Sequence, residues 1–112
     1  FLDISQATKG HTLVVTKTVY KNIYDIPEDL ASHLMRVSIR LAKAIERAFH
    51  PAGINLLNNN GETAGQSVFH FHMHLIPRYD ARDIQLSFTN HMRELTSEIY
   101  QSRAAMITSA LS

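Results

Sequence analysis

The chain contains no cysteine, three prolines, four glycines and no long apolar run in its 112 residues. Without cysteine there is no thiol nucleophile, no disulfide and no thiolate metal site within these residues, which fits a reducing compartment and makes the cytoplasm the expected location. No apolar stretch approaches the ~20 residues that cross a bilayer, so no membrane role is expected. Charge of one sign is also missing. Eleven basic residues against ten acidic ones leave a net charge of +1, too little for the electrostatic footprint of a nucleic-acid binder. Any phosphate binding must be local. Phe1-Leu2-Asp3-Ile4 offers neither an initiator methionine nor a signal peptide, and the expectation is that a segment ahead of Phe1 has been cut away or went unobserved. What remains is ordinary for a globular protein, 45% hydrophobic and 19% charged, with enough length for one domain and its core. The oddity is seven histidines, three of which fall between His70 and His74.

The alternation of His11, Leu13 and Val15 against Thr12, Val14 and Thr16 predicts a strand after the Lys9-Gly10 turn, with Phe1 to Ile4 as the strand before it. From Pro27 to Phe49, Leu30, Leu34, Val37, Leu41, Ile45 and Phe49 recur at helical spacing. Asp25 and Glu28 stand at capping-box spacing, and Pro27 suits a first turn. Arg36, Arg40, Lys43 and Arg47 form a solvated opposite face. His50-Pro51-Ala52-Gly53 stops the helix. Ile54 to Asn59 is a short strand running into the turn formers Asn58-Asn59-Asn60-Gly61. Ser67 to Pro77 alternates clearly, with His70, His72 and His74 on one face and Phe69, Phe71, Met73 and Leu75 on the other. A helix over Thr96 to Leu111 would turn Ile99, Met106 and Ile107 inward. The order implies an α+β domain on an antiparallel sheet.

Two chemistries compete for the histidines. On one strand face His70 and His74 would lie ~13 Å apart, too far to share an ion bound at ~2.0–2.1 Å. A metal would need one adjacent pair plus ligands such as His11, His33, His50, Asp3 or Glu62, none at a recognisable spacing. A phosphate site uses all three: neutral imidazole is a competent nucleophile near pH 7, and flanking histidines can donate to phosphate oxygens. The loop from Gly61 to Ser67 is rich in small residues, so its amides and the Ser67 hydroxyl can approach an anion. No metal is therefore assigned.

The run His70-Phe71-His72-Met73-His74-Leu75-Ile76 resembles the histidine triad pattern. Further landmarks follow in order: Asp3-Ile4, Gly10 to Val15, Gly53-Ile54-Asn55, Asn58 to Gly61, Ala64 to Ser67 and Ile76-Pro77-Arg78. The chain is thus similar to a bacterial-type member of the histidine triad (HIT) superfamily, nearest its nucleoside phosphoramidase branch. The resemblance implies a single domain over 1–112 that lacks its N-terminal segment, with about five antiparallel strands, a long central helix and a C-terminal helix. It implies that His72 attacks the α-phosphorus to form a nucleotidyl-histidine, that His70 orients it, that His74 contacts phosphate, and that His11 supports the triad. Asn59, Gln66 and Ser67 match residues around the phosphates and leaving group, while Asp3 matches the ribose-binding carboxylate with Phe1 and Ile4 near the base. No cofactor is required, and a structural zinc belongs only to the segment ahead of Phe1. The expected ligand is a purine nucleotide or conjugate, and the expected assembly is a homodimer. Family members often carry proline and histidine near Thr16 and Val19, so an entrance or dimer contact differs here. The expected activity is hydrolysis of nucleoside phosphoramidates or related nucleotide conjugates; a dinucleoside polyphosphate hydrolase and a nucleotide-binding regulatory module with little catalysis are the alternatives.

Overall fold

The structure is a computed structural model that describes residues 1–111. Three strands, β1 (Thr12–Val15), β2 (Gly53–Leu57) and β3 (His72–Arg78), form an antiparallel sheet in the order β1-β3-β2. Helix α1 (Glu28–Phe49) joins β1 to β2, and helix α2 (Ser97–Ala110) closes the chain. The architecture is α+β as expected, with three strands rather than about five. The nearest approach to a fourth is the segment before β1. There Leu2 bridges Thr12, the Asp3 amide donates to the His11 carbonyl at 2.9 Å and the Leu13 amide to the Phe1 carbonyl at 2.8 Å. The pairing stops at Asp3 because its carboxylate draws the chain into a turn, accepting from the Ser5 amide at 2.7 Å.

The central strand β3 pairs on both sides, Leu13 with His74 and Val15 with His72 in one direction, Leu56 with Leu75 in the other. Alternation sends Leu75 into the core, fully buried, with Phe71 and the partly buried Met73 on the same face. Val14 from β1 and Leu34 and Ile45 from α1 complete that layer. Burial of these side chains on one face leaves the other for His72 and His74.

Several local expectations are corrected. The histidine strand begins at His72, not Ser67: β1 ends at Val15, so no ladder partner continues, and the Phe71 amide instead donates to the Tyr20 carbonyl at 2.7 Å. His70 therefore lies in a bend outside the strand. Asp25 and Glu28 form no capping box; Pro27 is itself the N-cap, extended at ψ 140 and without a side-chain bond. The helix ends as read, with His50 in the left-handed conformation at φ 53. α2 starts at the expected place, with the Thr96 hydroxyl accepting from the Ile99 amide, but Met106 and Ile107 are 69% and 67% exposed, not inward. Arg78 holds the Ala81 and Ile84 carbonyls at 2.8 and 3.3 Å, and beyond Ile84 the residues up to Glu98 are all exposed; the radius of gyration is 17.0 Å against ~13 Å for a compact chain of this size.

Candidate functional site

The register that pairs Leu13 with His74 also brings His11, two residues earlier on β1's approach, beside the same imidazole. His11 Nε2 and His74 Nδ1 are 2.9 Å apart, and the rings of His72 and His74 stand edge to face with centroids 4.9 Å apart. His11 is 4% exposed, covered by the turn from Asp3 to Thr8.

Fixed backbone groups decide which ring nitrogen carries each proton. The Ala7 amide can only donate, and it points at His11 Nδ1 at 3.3 Å. A neutral His11 then has its proton on Nε2 and donates to His74 Nδ1, so that His74 carries its own proton on Nε2. His72 Nδ1 lies 2.7 Å from the His70 carbonyl, which can only accept. A neutral His72 therefore bears its proton on Nδ1 and leaves Nε2 as a bare lone pair. His70 in turn donates from Nε2 to the Thr16 carbonyl at 2.6 Å. The outcome is one unprotonated nitrogen, on His72, beside one N–H donor, on His74.

The electrostatics favour that state. Burial pushes His74 below the usual histidine range, and the neighbouring His72 and His11 push it the same way, opposed by Asp3. The Asp3 carboxyl is held below the ordinary carboxylate range by the hydroxyl and then the amide of Ser5, with smaller help from His11 and His74. Its Oδ1 takes both Ser5 donors, while Oδ2 faces His11 Nε2 at 3.8 Å. The second oxygen is thus the one open to a new hydroxyl donor.

Asp3, His11 and His74 also place one ligand atom each within 4.8 Å of one another, a grouping that the strand spacing did not reveal. A cation there would need the His11 proton on Nδ1, where the Ala7 amide already points its own hydrogen. Two lone pairs would also have to converge where one now accepts the other's proton. The arrangement is built as a hydrogen-bond relay.

The other expected residues are placed unequally. Gln66 is 2% exposed and fully engaged: Oε1 accepts from the Gly61 amide at 2.8 Å and Nε2 donates to the carbonyls of Lys21 at 2.6 Å and Val68 at 3.2 Å. It holds the loop rather than presenting an amide to a ligand. Ser67 beside it is exposed. Asn59 is half-buried, with its amide nitrogen 3.5 Å from where a Cβ on Gly65 would sit. Phe1 and Ile4, which flank Asp3, are 72% and 102% exposed. Two contributors were not legible in the sequence. Asn58 donates to the His72 carbonyl at 2.8 Å and is itself held by Asn60, so what reads as a turn former steadies the middle histidine. Thr16 reads as a strand residue and receives the His70 ring. An apolar groove of about 290 Å³ between β1 and α1 includes His33 but none of the triad.

Residues 1–81 match the HIT domain family. Protein hit of Bacillus subtilis is 57% identical over 83 residues, which cover 74% of this chain and 57% of that protein. The adenosine 5'-monophosphoramidase of Saccharomyces cerevisiae is 39% identical over 82 residues, 73% of this chain and 49% of that protein. The chain therefore spans about half the length of these two relatives. The crystal structure of a HIT family protein from Bacillus anthracis superposes with a TM-score of 0.95 at 49% identity, over 100% of this chain and 80% of that one.

Proposed function

This chain belongs to the HIT domain family, and from that premise we propose that it is a nucleotide-binding hydrolase that cleaves nucleoside phosphoramidates at the α-phosphorus. The observation that carries the proposal is the bare Nε2 of His72, left free because Nδ1 is committed to the His70 carbonyl at 2.7 Å. His72 Nε2 attacks phosphorus and forms an N–P bond as the bond to the leaving nitrogen breaks; that nitrogen takes a proton from solvent, which the attacking water of the second step returns, and departs as an amine. The imidazole becomes cationic, and the His70 carbonyl stabilises the charge through the Nδ1 proton. Water then attacks phosphorus, the N–P bond breaks, and the products are a nucleoside monophosphate and neutral His72. His74 donates its Nε2 proton to a non-bridging oxygen, and His11 keeps that proton in place. Asp3 accepts a ribose hydroxyl at Oδ2, the oxygen Ser5 does not occupy.

The leaving group is proposed from the yeast relative, an adenosine 5'-monophosphoramidase. Assembly is proposed as a homodimer: β2 is an edge strand, Leu56 is 44% exposed, and Met35 and Ile39 on the outer side of α1 are 40% and 49% exposed. These apolar side chains gain free energy when covered by a second copy.

Rapid quenching during turnover of an adenosine phosphoramidate, followed by mass spectrometry, should trap the nucleotidyl group on His72. His72→Ala should lower the single-turnover rate by more than about a thousandfold without unfolding the protein. Wild-type rates in that variant would overturn the mechanism. Binding without turnover across phosphoramidates and dinucleoside polyphosphates would instead favour a regulatory module.

A further inference from the structure

His70 is the member of the triad that no ladder holds. It sits in the bend before β3, and the peptide whose carbonyl fixes the His72 proton is its own. What restrains it is Thr16, the residue just past β1, which is 6% exposed. The Thr16 hydroxyl donates to the Thr18 carbonyl at 2.6 Å. Having one proton, it faces the His70 ring as an acceptor, 3.3 Å from Nε2. The Thr16 carbonyl accepts from that same Nε2 at 2.6 Å. One residue thus presents two acceptors to one ring N–H, and its own hydroxyl closes the turn that aims them.

We propose that Thr16 is a positioning residue for the attacking histidine, acting through His70; the catalytic consequence rests on the reading that His72 is the nucleophile. The hydroxyl pins the Thr16–Thr18 turn, the turn holds the His70 ring, and the ring anchors the His70 peptide. The carbonyl of that peptide keeps the His72 proton on Nδ1. A loosened His70 lets its carbonyl swing, and the His72 proton is then free to move to Nε2. A protonated Nε2 has no lone pair to offer phosphorus, so the clamp governs the fraction of molecules able to react.

Two substitutions separate the hydroxyl from the packing. Thr16→Val keeps the shape and loses the hydroxyl; Thr16→Ser keeps the hydroxyl and loses a methyl. Nitrogen-15 imidazole spectra of the ligand-free protein report which His72 nitrogen is protonated without reference to activity. The wild type and Thr16→Ser should show the Nδ1–H form alone. Thr16→Val should show a mixture, with a single-turnover rate on an adenosine phosphoramidate about tenfold lower, and adenosine monophosphate binding within about twofold. If Thr16→Val does not fold, as judged by circular dichroism, Thr16→Ala against Thr16→Ser makes the same comparison. A Thr16→Val protein with the wild-type tautomer and rate overturns the clamp, as does a Thr16→Ser protein as impaired as Thr16→Val. Spectra that change as expected in a protein whose wild type yields no His72 adduct uphold the clamp and overturn the hydrolase reading instead.

Discussion

Replacing Gly10 with alanine tests how tightly the turn before His11 is built into the core. Gly10 has φ +92, and a Cβ there would lie 2.9 Å from Cδ2 and Cε2 of Phe49 and 3.3 Å from Cγ of Pro77. The backbone conformation alone costs an L side chain ~1–2 kcal/mol. The overlap adds ~1–3 kcal/mol, as for other overpacked sites, with the lower part favoured because the Phe49 ring can tilt outward at the helix end. Tilting disturbs the Lys9 ammonium, which sits 5.5 Å above that ring. A total of ~2–4 kcal/mol, divided by an unfolding entropy of ~2.1 cal/mol/K per residue, lowers Tm by about 8–17 °C. Gly61 is the control: its φ is +96, but no atom lies within 4 Å of its Cβ position. Gly61→Ala should therefore cost only the backbone strain, about 4–8 °C in Tm. Gly53→Ala, in β2 with open space around it, should stay within ~0.5 kcal/mol of wild type. The stiffening of the unfolded chain by alanine is common to all three and drops out of the differences. Thermal unfolding followed by circular dichroism measures the series. A Gly10→Ala protein no less stable than Gly61→Ala would refute the packing argument.

The pH response follows from the signs of two shifts. His74 is depressed in the folded state, by burial first and by His72 and His11 next, so the unfolded chain binds the extra proton. Stability from this group is complete above the unfolded value near 6.5 and falls as pH drops through it toward the folded value. Asp3 is depressed by Ser5, and its contribution persists above the carboxylate range and is lost only on further acidification. An NMR titration should place the His74 midpoint below 6.5, lower still in Asp3→Asn; a midpoint above 6.5 in the wild type would contradict the desolvation argument. For the homodimer, Ile39→Glu should weaken self-association at least about 100-fold by burying a charge. Sedimentation equilibrium checks this, and a monomeric wild type at high concentration would exclude the interface.

The long helix was legible because its periodicity and both of its stops are local properties of residues 27–53. The start of β3 was not. Val68-Phe69-His70-Phe71 alternates as well as any strand, and the reason it is not one lies elsewhere: β1 ends at Val15, and the Tyr20 carbonyl takes the amide that a ladder would have used. The ~13 Å separation of His70 and His74 along a single strand therefore had a false premise, since the two do not share a strand. The pairing of His11 with His74, 63 residues apart, depends on a register that single-residue patterns do not encode; the resemblance supplied the partner, and the structure supplied the atoms. In α2 the apolar spacing exists, but inwardness is a relation to a second surface, and no residue of the helix is buried.

The relay also explains why the site takes several histidines rather than one. A lone imidazole in water exchanges its proton between two nitrogens and offers a mixture of donor and acceptor. Here each ring is biased by a backbone group that cannot change its role: the Ala7 amide for His11, the His70 carbonyl for His72, the Thr16 carbonyl for His70. Because an amide heads one chain and a carbonyl the other, the two chains reach adjacent rings with opposite polarity. His74 arrives as a donor and His72 as an acceptor, with ring centroids 4.9 Å apart. The proposed attack uses that pair, a lone pair for phosphorus and an N–H for a neighbouring oxygen. Burial lowers the His74 pKa and so favours the neutral ring, whose Nδ1 is free to accept from His11. Exchanging the roles of the two chain heads would leave the same four histidines in place and still put a proton on the nitrogen that the proposed attack requires bare.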